Sequence, residues 1–282
     1  MQHSSSQRTL DLDERGTPSR AVRSRVQWLR RAVAAVLVLV AGAALWRTTS
    51  RPTRRAATAS TMRELVAPRG GRADIRLMDG TRVALNAGSR LRYAPDYGRA
   101  PVREMWLEGE GYFEVRHDAA RPFRVHAGGG VAEDLGTRFV LRAYPEQARV
   151  EVMVAEGRVA LRRDDAGVAA RTDSAVVGPG QLGRVSGDSV TVRPTSDEER
   201  YLAWTTGTLV LDDVSLRDAL PLLERRYDLS ITLADSALGS RRLVGRFRDQ
   251  PATEVLDAIS LALGARYERH GRDVTLRASA AH

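Results

Sequence analysis

The chain has 282 residues, of which 43% are hydrophobic and 28% charged, with a formal charge of +9 and no cysteine. That length suits about two domains with real cores, and the missing cysteines exclude disulfides, thiol nucleophiles and cysteine-bound metals. Residues 1–60 hold eleven Arg against three acids, and the rest hold thirty-three against thirty-two, so the folded part is nearly neutral and nucleic-acid binding is not indicated. All forty-four basic residues are Arg and none is Lys, which reads as genome composition rather than as chosen guanidinium sites.

Residues 1–31 are polar and rich in Ser and Arg, and are expected to form a basic, largely unstructured tail that turns helical after Ala21. Residues 32–46 carry no charge. As a helix they would span about 22 Å, short of the bilayer core, but flanking arginines can snorkel to the headgroups. Arg30 and Arg31 stand before the stretch and Arg47 after it, while Trp28 and Trp46 suit the two interfaces. A single transmembrane helix is therefore expected, with membrane lipid against these flanks. The alternatives are a cleaved secretory signal ending near Ala41-Gly42-Ala43 and a buried core helix. Seven arginines before the span against five after it place the N-terminus inside.

Residues 47–64, with Pro52 among Thr, Ser, Arg and Ala, read as a linker. From 65 to 193 the hydrophobic period becomes two: Ile75 and Leu77, Val83 and Leu85, Phe113 and Val115, Phe123 and Val125, Val150, Val152 and Val154. Asp79-Gly80, Gly128-Gly129-Gly130 and Gly178-Pro179-Gly180 punctuate it, so an all-β domain is expected, as a sandwich, a roll or a short solenoid. A charged connector follows over 194–206. The segment 207–278 contains a repeat: Leu216, Ala219, Leu220 and Leu223 recur as Ala252, Val255, Leu256 and Ile259. Each helical face is flanked by strand-like segments, which predicts a small α+β domain built from a β-α-β unit used twice. Ser215 suits a helix cap and Pro251 a first helical position, whereas Pro221 argues for a kink or a later start.

No catalytic, metal or cofactor residues emerge. Glu108 and Glu110 would share one side of a strand, yet a solvent-facing or turn-fixing role outweighs acid–base chemistry. His117, His126 and His270 lack metal spacing, and the glycine run at 128–130 lacks the Lys of a phosphate loop. Trp106, Phe113 and Phe139 read as core, and Trp204 as a seal between the domains. An exposed edge in the last domain, with Leu209, Leu211, Val244 and Phe247, is the candidate contact for a partner.

Several segments resemble the FecR family of membrane-anchored regulators. They are Asp79-Gly80 through Tyr93, Leu107 to Val115 with Gly109, Glu110 and Phe113, and Arg121-Pro122-Phe123. Gly136, Thr137 and Phe139, then Gly157, then Pro179-Gly180 continue the series to Ala203-Trp204. The resemblance implies a C-terminal domain similar to the short N-terminal domains of secretins and TonB-dependent receptors. It also implies an inner-membrane protein, bulk periplasmic, that regulates an extracytoplasmic-function sigma factor in response to an outer-membrane receptor's signalling domain. Typical members have a longer cytoplasmic helical region than the thirty-one residues before this span. Those residues suffice, or an upstream extension precedes them, or direct sigma binding is lost. The rival reading is a periplasmic binding or scaffold module without a transcriptional role.

Overall fold

The computed structural model describes residues 62–164 and 174–279. The expected tail, membrane span and most of the linker lie outside the described residues. Among the described residues no helix is long and apolar enough to cross a membrane. The first strand, β1 (Arg63–Ala67), begins inside the stretch read as linker.

Among the described residues thirteen strands make one continuous sheet organised around β5 (Arg103–Glu114). Its first half pairs with β4 (Ser89–Tyr93) on one edge and, in parallel, with β6 (Phe123–Ala127) on the other. Its second half pairs with β3 (Arg82–Leu85) and β8 (Arg138–Ala143). The strand therefore changes layer near Gly109, where φ is 102°. A Cβ there would stand 2.4 Å from Ser89 Oγ, so only glycine lets the two strands approach.

The sheet thus folds on itself. β1, β4, β6, β7 (Gly130–Asp134), β10 (Val159–Arg163) and β11 (Ser174–Val177) continue one layer. β2 (Ala73–Arg76), β3, β8, β9 (Val150–Glu156), β12 (Gln181–Ser186) and β13 (Ser189–Pro194) continue the other. Of the three expected architectures this is nearest a roll, a nearly closed sheet rather than two separate ones. Alternating residues fill the space between the layers. Phe113 stacks on Phe139 at 5.1 Å and meets Phe123 of the facing layer edge-on at 5.9 Å.

The connector forms a short helix, α1 (Glu198–Leu202), and a 3-10 turn over Ala203–Thr206. The C-terminal domain then runs β14 (Thr208–Ser215), α2 (Leu216–Tyr227), β15 (Ser230–Leu233), β16 (Arg242–Arg248), α3 (Ala252–Leu263) and β17 (Ala265–His270). The repeated β-α-β order is present, but its strands do not share one sheet. Among the described residues β14 pairs with β16 alone, joining the first strands of the two units. The second strands, β15 and β17, flank a further strand, β18 (Asp273–Ala278). That strand buries Val274 and Leu276 on the core of Leu216, Leu223, Val255 and Ile259.

Helix α2 starts where Ser215 predicts, its hydroxyl accepting the Asp218 amide at 3.2 Å, and continues through Pro221. Burial of Leu216, Ala219 and Leu223 offsets the roughly 3 kcal/mol that an interior proline costs. Pro251 is the N-cap of α3 rather than its first helical residue.

Candidate functional site at the joint between the domains

Among the described residues the β-domain holds two buried ionic clusters. In the first, Asp79 in the turn after β2 accepts from Arg103 at 2.8 Å, Tyr97 at 3.0 Å, the Thr81 hydroxyl at 3.1 Å and the Thr81 amide at 3.0 Å. Arg103 also donates to the Arg121 and Arg116 carbonyls, both at 2.9 Å, and its side chain is 1% exposed. Burial pushes the Asp79 carboxyl up, but these donors together hold it below its ordinary value. Gly80, at φ 89°, completes the turn.

The second cluster reaches toward the C-terminal domain. Glu110 accepts from Arg142 at 2.7 Å and from the Asn86 amide at 2.8 Å, and is 1% exposed. Glu108, two residues earlier, is exposed. The two do not share a side, because positive φ at Gly109 breaks the alternation between them. Next to Arg142, Tyr201 of α1 lies under its guanidinium at 4.7 Å and donates to Glu151 at 3.1 Å. Glu151 also accepts from Arg184 at 2.7 Å and Arg149 at 3.1 Å. Burial chiefly, with the Glu151 charge, pushes the Tyr201 phenol up to about 12. Neither carboxylate is placed for acid–base chemistry, since both are spent on cations.

The joint is built from the C-terminal end of α2 and the loop after β1. The Gly70 amide donates to the Arg225 carbonyl at 2.8 Å, supplying a bond to the helix end. Arg69 donates to the Leu229 carbonyl at 2.7 Å, and Arg72 to the carbonyl of Trp204. The Arg225 guanidinium lies 3.6 Å from the ring centre of Tyr144 in the β-domain and pairs with Glu146. On the other side of the connector, Arg246 of β16 pairs with Glu199. The two domains are thus tied by cation–ring contacts and backbone carbonyls more than by apolar packing.

The remaining sequence candidates fall in three places. Gly136, Thr137 and Gly157 meet where two loops cross, and a Cβ on Gly157 would stand 2.1 Å from the Gly136 carbonyl oxygen. There the Thr137 hydroxyl donates to Asp134, whose carboxyl burial pushes above its ordinary value. Pro122 precedes β6, its carbonyl accepting the Arg103 amide at 2.8 Å, while Pro179 and Gly180 form the turn into β12. Trp204 lies in the 3-10 turn at the joint, 5% exposed. Leu209 and Leu211 point into the core at 3% and 2% exposure and Phe247 is half-buried, so of the proposed edge residues only Val244, at 78%, faces outward. Trp106 is not core: it is half-buried and stacks on His126 at 5.3 Å. Among the described residues no three His, Asp or Glu gather as a metal site requires.

Two family models match the chain, FecR protein over residues 63–160 and FecR, C-terminal over residues 208–276. No curated protein matches. Among solved structures, a crystal structure of a candidate anti-sigma factor from Parabacteroides distasonis ATCC 8503 is 25% identical, with a TM-score of 0.67, covering 77% of this chain and 100% of that one. A second crystal structure of the same description and organism gives a TM-score of 0.66 at 25% identity, covering 78% of this chain and 100% of that one. With both modules matched in order and the whole of each neighbour covered, the chain belongs to the FecR family.

Proposed function

We propose that this protein is an inner-membrane signalling protein of the anti-sigma type, regulating an extracytoplasmic-function sigma factor. The observation that carries the reading is the ordered pair of FecR modules, together with a structural likeness that covers the whole of a candidate anti-sigma factor. In this reading residues 32–46 span the membrane, with Arg30, Arg31 and Arg47 at the headgroups. Residues 1–31 face the sigma factor in the cytoplasm. The β-domain and C-terminal domain stand in the periplasm, where the C-terminal domain meets the signalling domain of a TonB-dependent outer-membrane receptor. The outward face of β16 around Val244 is the contact we assign to it. The protein acts by binding and not by catalysis. Receptor engagement can shift the regulator between states only by its differential affinity for them.

Alkaline phosphatase fusions test the arrangement. A fusion after residue 279 should be active and a fusion before residue 30 inactive, and activity at both positions would contradict the topology. A mature N-terminus near Ala44 by mass spectrometry would favour an exported scaffold instead. Reporters for each such sigma factor in the cell should change when the gene is deleted, and no change in any of them would remove the regulatory role.

A further inference from the structure

We infer that the cleft between the β-domain and the C-terminal domain is a binding site for a carboxylate-bearing organic ligand. The cleft has a volume of about 570 Å³, within the size range of small-ligand sites. Trp204, Thr208 and Arg225 line it, at 5%, 3% and 9% exposure. Each has a polar atom without a partner: the indole Nε1, the hydroxyl Oγ1 and the guanidinium Nε. Two other side-chain atoms among the described residues share that condition, on His126 and Ser260, and neither residue lines the cleft. Three of the five residues that carry such groups therefore line one cleft.

The chemistry of the three groups names what they lack. An indole N–H and a guanidinium N–H can only donate, and a hydroxyl can donate, so the missing partner is an acceptor. The charges agree. Arg200, Arg217 and Arg226 line the cleft and have no carboxylate within ion-pair distance among the described residues. The lining acids are mostly committed, Glu110 to Arg142, Glu146 to Arg225, Asp213 to Arg242 and Asp218 to the Ser215 hydroxyl. Asp212 and Asp218, whose hydroxyl partner leaves its charge in place, are the two carboxylates that stand against the three arginines, so the cleft keeps a positive excess. Val210, Pro221 and Leu222 also line the cleft, which suits a carbon skeleton carrying carboxylates better than inorganic phosphate.

The three donors are closed off from bulk water, so the ligand reaches them as the joint opens and then ties the two domains together. An acidic peptide segment and a free dicarboxylate present the same groups. Both can be titrated into the full chain in detergent micelles by calorimetry, as acetyl-Glu-Glu-amide and as succinate, with phosphate at matched ionic strength for comparison. We expect one or both carboxylate probes to bind. Thr208→Val and Arg226→Gln should each weaken that binding about tenfold, as loss of a hydrogen bond to a charged group does. Thr208→Val removes a hydroxyl that has no partner, so its melting temperature without ligand should be unchanged or higher. Binding of the peptide alone assigns the site to a protein segment, and binding of succinate as well assigns it to a small anion. Absence of binding by either probe, phosphate binding as tightly, affinity unaltered in Thr208→Val, or a lowered melting temperature in that variant would each overturn the proposal. Should Arg226→Gln fail to fold, Thr208→Val alone decides.

Discussion

Arg103 and Arg225 are both buried arginines lying against an aromatic ring, Phe123 and Tyr144 respectively, yet their surroundings differ. Arg103 donates to a carboxylate that is itself 4% exposed and to two carbonyls. Arg225 pairs with Glu146, which is 47% exposed, and its Nε–H has no partner among the described residues. In the β-domain, buried charge is fully bonded, so it fixes one arrangement of strands and loops. At the joint, charge is bonded through water-facing groups and, among the described residues, in part not bonded, so it fixes the contact less strongly. In the proposed role, where receptor engagement shifts the periplasmic domains, that contrast would confine the shift to the joint.

Substitutions should reproduce the contrast in order of size. Arg103→Met leaves the Asp79 carboxylate buried without its cation, and should cost about 3–5 kcal/mol in urea unfolding. Tyr201→Phe removes one donor from Glu151, which keeps two arginines, so the expected loss is about 1 kcal/mol. Arg225→Met keeps an apolar chain on Tyr144 and deletes the unpaired N–H, so a loss of about 1 kcal/mol or less is expected. Arg246→Ala breaks a fully exposed pair with Glu199 and should leave the melting temperature unchanged. A larger effect at Arg225 than at Arg103 would reverse the account of the two regions.

Acid tests the same contrast. Asp79 and Glu151 titrate below their ordinary values of 3.8 and 4.5 in the folded protein. The stability they contribute is present above those values and is lost as pH falls through the lower folded ones. Asp134, raised, works in the opposite sense, its contribution being largest at low pH and lost as pH rises through its folded value. Asp79→Asn should therefore flatten the acid limb of the stability curve, measured by urea midpoints below pH 5. An unchanged limb would show that Asp79 gains nothing from Arg103.

Much of the β-domain was legible because each strand buries alternate residues, and period two survives any arrangement of the strands. What escaped was pairing. Nothing local to Leu209–Leu211 or Leu243–Phe247 tells that the first strands of the two repeat units pair with each other, or that Asp273–Ala278 separates the second strands. Alternation itself misled at Glu108 and Glu110, because one glycine at positive φ turned the strand between them. Arg103, among forty-four arginines, carries no sequence mark of burial, since its partner Asp79 lies 24 residues away in a turn. Trp204 was expected at the domain junction from its place in the connector. Its unpaired indole was not, because that depends on the absence of an acceptor in three dimensions.

The most direct test of the central claim is co-purification of the full chain, and of a version lacking residues 1–31, with each extracytoplasmic-function sigma factor of the same cell. The account predicts that one sigma factor stays with the full chain and is lost from the shortened one. Retention by neither version, or equally by both, would contradict it.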